Sequence, residues 1–280
     1  MKFGMTLSRL NPARWEEAAV AADQLGFESL WLAEHLVFPS EIRGQLIPGE
    51  EHPPVPPSTP VFDAPTYLAW LAAKTERIRL ATFVYLLGLR HPFIAARGFA
   101  TLDHVSGGRA ICAVGAGWLL TEWEAVGLDP RTRGARLDEH IEVCRRLWTE
   151  EVVEHHGRFV DFAPVWFEPK PPQQPIPVHI GGESDRALQR VARLGDGWVA
   201  MGNTPASIAP KVAELRRLLD EAGRPAGAVE VTCMGACETE ADAEAFAAVG
   251  VDRLIVVPWQ RSADAIPGME AFAARFGLRP

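Results

Sequence analysis

The stretch ESLWLAEHLVFP, residues 28–39, runs from apolar residues into a carboxylate and an imidazole. Glu34 and His35 end the apolar run, and Phe38 follows in the next segment. An imidazole exchanges protons near neutral pH and can act as a general acid or base, although a histidine at a strand end is also often structural. Neighbouring strand residues point to opposite sides, so Glu34 is expected to orient the site or form an ion pair rather than share a proton with His35.

The segment VHIGGESDRAL could hold a phosphate group. Gly181 and Gly182 leave a predicted strand, and Ser184 begins a predicted helix. The first turn of a helix has free N–H groups and a partial positive charge, which favour an anion. Glu183 would lie close to that anion, so its side chain is expected to point away. An ordinary capped turn is the alternative interpretation.

The segment GAGWLLTEWEAVG is a second glycine-rich strand end. Gly115 and Gly117 would allow a close approach of the backbone to a ligand, and Trp118 could stack on it. Tight packing around a core tryptophan explains the same residues equally well. The sequence alone leaves both interpretations open.

Apolar segments and amphipathic segments alternate along the whole chain. The predicted strands are 2–7, 28–35, 78–87, 109–117, 177–182, 196–202, 229–235 and 252–259, each followed by a predicted helix. The strands are apolar throughout, as expected when both faces of a parallel sheet are covered. The sequence therefore predicts an α/β fold, a single (β/α)8 TIM barrel over residues 1–280. A doubly wound open sheet is the alternative, but the turn after the first strand lacks the GxGxxG pattern.

Two irregular segments interrupt this alternation. A long proline-rich loop follows the second strand at 36–62, and an insert rich in aromatic residues and proline follows the fourth strand–helix unit at about 152–176. Chemistry in such barrels gathers at the C-terminal ends of the strands. Those ends also contain Tyr85 and Trp259, which together with Phe38 are predicted to line a substrate pocket. The aromatic, sparsely charged rim favours a large, planar, partly apolar ligand.

Composition excludes several classes of protein. The net charge of −8 argues against a general nucleic-acid binder. No segment approaches the roughly 20 apolar residues that span a bilayer, and no signal peptide is recognisable, so a cytoplasmic protein is expected. The four cysteines are expected to be reduced packing residues. No metal-binding spacing is present, and no metal is expected.

The chain resembles the luciferase-like monooxygenase superfamily, and within it the oxidoreductases that use the deazaflavin coenzyme F420. The resemblance rests on four segments that cover most of residues 1–200: WLAEHLVFP, LRHPFIAARGFATLDHVSGGRAICAVGAGW, RGARLDEHIEVCRRLWTEE with GRFVDF, and PVHIGGESDRALQRVARLGDGW. It implies a TIM-like barrel, an insert after the fourth unit, a flavin or deazaflavin at the barrel mouth, and a homodimer.

The resemblance also implies roles for particular residues. Glu34 and His35 would lie near the redox ring, and a cis peptide between Phe83 and Val84 would lie behind it. The remaining cofactor-binding residues would be the fourth-strand segment Gly115, Ala116, Gly117 and Trp118, and the phosphate segment Gly181, Gly182, Glu183 and Ser184. Pro39 and Trp118 stand where the deazaflavin sugar-phosphate dehydrogenases have tryptophan and glutamate, so oxidation of a sugar phosphate is not expected.

The resemblance therefore implies an enzyme that transfers a hydride between coenzyme F420 and a small, largely apolar organic substrate. His35 would donate or accept a proton or bind the reacting group, and the loop 36–62 and the insert would act as lids. A two-component monooxygenase that uses reduced flavin mononucleotide (FMN), oxygen and a partner reductase is the first alternative. A non-catalytic protein that sequesters a coenzyme is the second.

Overall fold

The structure is a computed structural model, and it describes residues 1–46, 55–56 and 58–279. In chain order the strands are β1 Lys2–Thr6, β2 Ser29–Leu32, β3 Arg79–Thr82, β4 Ala110–Val114, β5 Val152–His156, β6 Asp161–Trp166, β7 Val178–Gly181, β8 Gly197–Met201, β9 Glu230–Met234 and β10 Arg253–Val256. All except β5 and β6 form a closed barrel, in which β1 pairs with both β2 and β10. Every pair in the barrel is parallel, which confirms the predicted TIM barrel.

Helices surround this barrel. They are α1 Trp15–Leu25, α2 Ala64–Ala72, α3 Pro92–Ser106, α4 Leu120–Ala125, α5 Arg133–Thr149, α6 Asp185–Leu194, α7 Pro205–Glu221, α8 Glu240–Ala248 and α9 Ala265–Phe276. Local signals set several of their ends. Asp63 caps α2 by accepting a hydrogen bond from the Thr66 amide, and Gly26 ends α1 in the left-handed conformation that glycine favours.

The insert occurs where it was predicted, and the described residues of the proline-rich loop form no helix or strand. β5 and β6 form an antiparallel hairpin between α5 and β7. The loop after β2 is described at 36–46, 55–56 and 58–62, and the rest of it lies outside the described residues.

The third strand is shorter than predicted. β3 ends at Thr82 rather than continuing to Leu87, and a 3-10 turn follows at Leu87–Leu89. The Phe83–Val84 peptide between them is cis. The cis peptide that the resemblance implied is therefore present at the expected bond.

Charged residues fill the N-terminal end of the barrel. Arg253 is fully buried, with its guanidinium bound to Glu28 at 2.6 and 2.7 Å and to Glu230 at 2.6 Å. His179 is buried beside this group, and burial together with the charge of Arg253 lowers the pKa of His179 to about 3. Nearer the centre, the interior is packed with an apolar layer of Trp31, Ala81, Ile111, Ala113, Val199 and Ile255. A ligand can therefore enter only from the C-terminal end.

Partly exposed apolar residues cover the top of that layer. They are Phe83, Val84 and Met234, at the C-terminal ends of β3 and β9. Across the described residues, no helix is both long and apolar enough to cross a bilayer. All four cysteines are buried and unpaired, as expected.

Candidate active site

His35 is bound on one edge by a buried carboxylate. Its Nδ1 lies 2.8 Å from Oε2 of Glu122, and the other oxygen of Glu122 accepts hydrogen bonds from the amides of Leu36 and Val37 at 2.6 and 3.3 Å. Glu122 is completely buried in α4. Sequence reasoning missed Glu122, although its position between the apolar residues of GAGWLLTEWEAVG was a usable signal.

Two aromatic rings hold the imidazole of His35 in place. The ring of Phe38 lies 4.5 Å away, and the ring of Trp118 meets it edge-on at 5.8 Å, both measured between centroids. The His35 side chain remains 15% exposed, and its Nε2 has no hydrogen-bond partner among the described residues. His35 therefore presents one unbound nitrogen at the barrel mouth, beside two predicted site residues.

Glu34 points away from His35, as its position in the strand predicted. Its carboxylate binds Arg90 at 2.5 Å and accepts the Leu86 amide at 2.8 Å, and its side chain is fully buried. The pair anchors the turn after β3 to the end of β2. Glu34 therefore forms an ion pair, one of the two arrangements expected from the sequence, and a part for it in catalysis stays a prediction.

Two of the three predicted pocket residues lie in the core instead. Tyr85 is 2% exposed, and its ring packs edge-on against Phe99 of α3 at 5.1 Å. Burial raises the pKa of the Tyr85 hydroxyl, so it stays protonated. Trp259 is buried as well, within the layer between barrel and helices and close to Gly268 of α9. Only Phe38 remains at the mouth.

The glycines of β4 and β7 make room for Val84. A Cβ atom at Gly115 would lie 2.6 Å from one methyl group of Val84, and one at Gly181 would lie 3.0 Å from the other. Gly117 has a φ of 76°, and a Cβ there would press on Leu86 and Trp123. These glycines therefore pack closely on Val84, Leu86 and Trp123, and their predicted contact with a cofactor stays a prediction.

The segment 115–118 links Val84 to His35. Gly115 contacts Val84 at one end of the segment, and Trp118 meets the imidazole at the other. Ala116 is partly buried between them and packs on the core. Val84 and the imidazole of His35 therefore belong to one rim.

The end of β7 leads into the N-terminus of α6 as predicted. Ser184 caps α6 by accepting the Ala187 amide at 3.3 Å, and Gly182 has a φ of 117° that a side chain would strain. Both residues are exposed, so the first turn of α6 is open to an anion.

Glu183 points away from that turn, as expected. Its carboxylate accepts the Met201 amide at 2.8 Å and the Asn203 side-chain amide at 2.9 Å, and it forms an ion pair with Lys211. Its predicted contact with a cofactor is thus limited to backbone atoms. In the parts of the chain that the structure describes, no cluster of three or more His, Cys, Asp or Glu side chains could hold a metal ion.

The model of the luciferase-like monooxygenase family matches residues 1–256. The chain belongs to this family. It is therefore an enzyme of the oxidoreductase and monooxygenase type, and the glycine-rich rim beside His35 lies within the matched region.

Two curated relatives illustrate the range of the family. An uncharacterized protein of Mycobacterium tuberculosis is 33% identical over 263 residues, which is 92% of each chain. The F420-dependent glucose-6-phosphate dehydrogenase of Kineococcus radiotolerans is 30% identical over 240 residues, covering 83% of this chain and 66% of the relative.

Two solved structures share the fold over essentially the whole chain. An F420-dependent secondary alcohol dehydrogenase in complex with an F420–acetone adduct has a TM-score of 0.81 and 17% identity, covering 100% of this chain and 99% of the other. The monooxygenase RslO1 of Streptomyces bottropensis has a TM-score of 0.77 and 23% identity, covering 98% of each chain.

Proposed function

We propose that this protein transfers a hydride between coenzyme F420 and a small, largely apolar organic substrate at the C-terminal rim of the barrel. The observation that carries the proposal is the rim itself, where Nε2 of His35 has no partner among the described residues and the segment 115–118 connects His35 to Val84. The relative from Kineococcus radiotolerans, named as F420-dependent, supports the choice of coenzyme.

The residues present fit a phosphate-bearing planar coenzyme. Val84, flanked by strand ends without side chains, would support one face of the ring, and the open first turn of α6 at Ser184 would bind the phosphate. The deazaflavin supplies the hydride donor or acceptor when it is bound. Phe38 and Trp118 would exclude water from the reacting atoms.

His35 would handle the proton in this reaction. Oxidation of an alcohol to a carbonyl releases a proton together with the hydride, and reduction of a carbonyl takes one up. The Nε2 atom of His35 can accept or donate that proton because Nδ1 is already bound to Glu122.

The substrate is expected to be apolar because two cations near the site, Arg90 and Lys211, are already paired. Arg90 is bound to Glu34, and Lys211 is bound to Glu183. Phe38 and Trp118 add apolar surface around His35. These contacts favour a simple alcohol, aldehyde or ketone over a phosphorylated sugar.

A two-component monooxygenase that uses reduced FMN and oxygen is the alternative. The fold shared with the monooxygenase from Streptomyces bottropensis favours it. In that reaction His35 and the same rim would serve, and a partner reductase would supply the reduced flavin.

Titration of the purified protein with each coenzyme tests the proposal. We expect coenzyme F420 to change its absorbance and fluorescence on binding, with an affinity at least tenfold higher than that of FMN. A panel of short alcohols and ketones should then oxidise or reduce the bound coenzyme.

Two results would contradict the proposal. Tight binding of FMN alone, with oxygen consumption coupled to hydroxylation, would establish the monooxygenase. Tight binding without turnover of any substrate would establish a coenzyme-sequestering protein. The cytoplasmic location, the homodimer and the partner reductase stay predictions.

A further inference from the structure

We propose that Glu122 is a positioning residue that selects the tautomer of His35 and holds the base of the loop after β2. It keeps the hydrogen of the neutral imidazole on Nδ1, so that Nε2 is the nitrogen that exchanges a proton at the mouth. The kinetic part of this inference rests on the proposed function, whereas the tautomer does not.

The three hydrogen bonds of Glu122 define the direction of each donor. Oε1 accepts two backbone N–H groups, from Leu36 and Val37, and Oε2 faces Nδ1 of His35 at 2.8 Å. An ionised carboxylate accepts hydrogen bonds and cannot donate them, so Nδ1 must supply the hydrogen. Glu122 is fully buried, which excludes water as a competing partner.

A second glutamate–histidine pair in the chain makes the same kinds of hydrogen bond but lies away from the barrel rim. Glu139 accepts the amides of Phe159 and Val160 at 3.0 and 2.8 Å, and one of its oxygens lies 3.3 Å from Nε2 of His155. That pair anchors the turn of the hairpin insert to α5, away from the barrel rim. Glu139 is therefore a matched control for Glu122.

The same region of α4 anchors the loop at a second point. The amide of Leu120 donates to the Arg43 carbonyl at 2.7 Å, and the Arg43 guanidinium pairs with Glu124. Gly44 packs so closely on the Trp118 carbonyl that no side chain would fit. Glu122 therefore holds the start of a segment whose later part is held independently, so its removal should disturb His35 more than the whole loop.

Glu122→Gln makes a sharp prediction about the imidazole. The single oxygen of the amide is needed by the two backbone N–H groups, so the NH2 group would face Nδ1 of His35. An NH2 donor beside Nδ1 requires a lone pair there, which forces the hydrogen onto Nε2. The tautomer should therefore invert.

Nitrogen-15 NMR of the protein labelled at histidine measures this directly, with His35→Gln used to assign the signal. We expect the Nδ1–H tautomer in the unmodified protein and the Nε2–H tautomer in Glu122→Gln. The Glu139→Gln variant should leave the His35 signal unchanged. An Nε2–H tautomer in the unmodified protein would overturn the inference even if Glu122→Gln failed to fold.

Kinetics with the coenzyme then separate this inference from the proposed function. Where the unmodified protein turns over, kcat of Glu122→Gln should fall by roughly 10²-fold, the lower end of what general acid–base catalysis contributes, with a smaller change in KM. If the unmodified protein shows no turnover but the His35 tautomer still inverts in Glu122→Gln, the proposed function alone is contradicted. An unchanged tautomer or an unchanged kcat in Glu122→Gln would defeat the role of Glu122 alone.

Discussion

His35 illustrates what a single residue can and cannot reveal. Its place at the end of a buried strand was readable from the sequence, and so was the opposite direction of Glu34. The partners were not readable, because Glu122 is 87 positions away and Arg90 is 56 positions from Glu34. Pairing between distant loops depends on the closed barrel, which brings the ends of β2, β3 and β4 together.

Replacement of His35 by Gln tests its role at this scale. The amide cannot exchange a proton near neutral pH, so kcat with the coenzyme and substrate should fall by about 10²–10⁴-fold. Coenzyme binding, followed by fluorescence titration, should change little. His91→Asn is a suitable control, because His91 accepts the Phe93 amide at the start of α3 and asparagine is a good helix cap. Undiminished turnover in His35→Gln would remove His35 from the mechanism.

At the scale of elements, the chain segments that follow β3 and β4 and the end of β7 pack closely around the side chain of Val84. The sequence places glycines at the ends of β4 and β7 and leaves ligand contact and tight packing as equal interpretations, but it does not show that Val84 is the neighbour. Val84 fills the space that these glycines leave, which depends on contacts between strands that are distant in the sequence. Tyr85 pairs with Val114 of β4 and packs its ring against Phe99 of α3, so it lies in the core and not at the mouth.

The variant Gly115→Ala should destabilise the protein. Its Cβ would lie 2.6 Å from a methyl group of Val84, and overpacking of this kind costs about 1–3 kcal/mol in free energy of unfolding. Urea denaturation followed by circular dichroism measures this cost. Gly98→Ala in α3 is the control, since its Cβ would meet only Pro65 at an ordinary 3.5 Å.

A double mutant shows whether Val84 is the cause. Adding Val84→Ala to Gly115→Ala should recover much of the lost free energy, so the two effects should not be additive. Strict additivity would mean that the two residues do not press on each other.

At the scale of the whole molecule, the barrel has a chemical polarity. At the C-terminal rim, Nε2 of His35 has no partner among the described residues, whereas the opposite end contains the buried Arg253 bound to the partly exposed Glu28 and Glu230. The alternation of strands and helices was enough to predict the barrel, because each barrel strand pairs with the barrel strands that precede and follow it in the sequence. The buried charges could not be predicted, since Arg253 and Glu28 are 225 positions apart.

This buried group should make the protein sensitive to acid. Burial and the charge of Arg253 lower the pKa of His179 from its usual value of 6.5 to about 3. Between those values the unfolded chain binds a proton at this histidine and the folded protein does not, so the free energy of unfolding falls as the pH falls. A single such group contributes up to about 1.4 kcal/mol per pH unit.

Measurements between pH 6.5 and 5 isolate this effect. Burial opposes ionisation of Glu28 and Glu230, but Arg253 outweighs burial and lowers the pKa of both carboxyl groups. Their protonation, and the fall in the free energy of unfolding that it causes, therefore occurs at lower pH. Over this range the free energy of unfolding, measured by urea denaturation, should depend less steeply on pH in His179→Gln than in the unmodified protein, by about 1 kcal/mol per pH unit. Equal slopes for His179→Gln and the unmodified protein would contradict the assignment.

Side chains of the described residues pack the N-terminal end of the barrel, so a ligand reaches the interior from the C-terminal end. A ligand of His35 would therefore arrive at the C-terminal rim, beside Phe38, and leave from the same end. When a coenzyme and a substrate enter from the same end and one lies beneath the other, the lower ligand cannot bind or dissociate while the upper one is in place. A coenzyme seated against Val84 would arrive first and depart last, so the order of binding and release would follow from the architecture of the barrel.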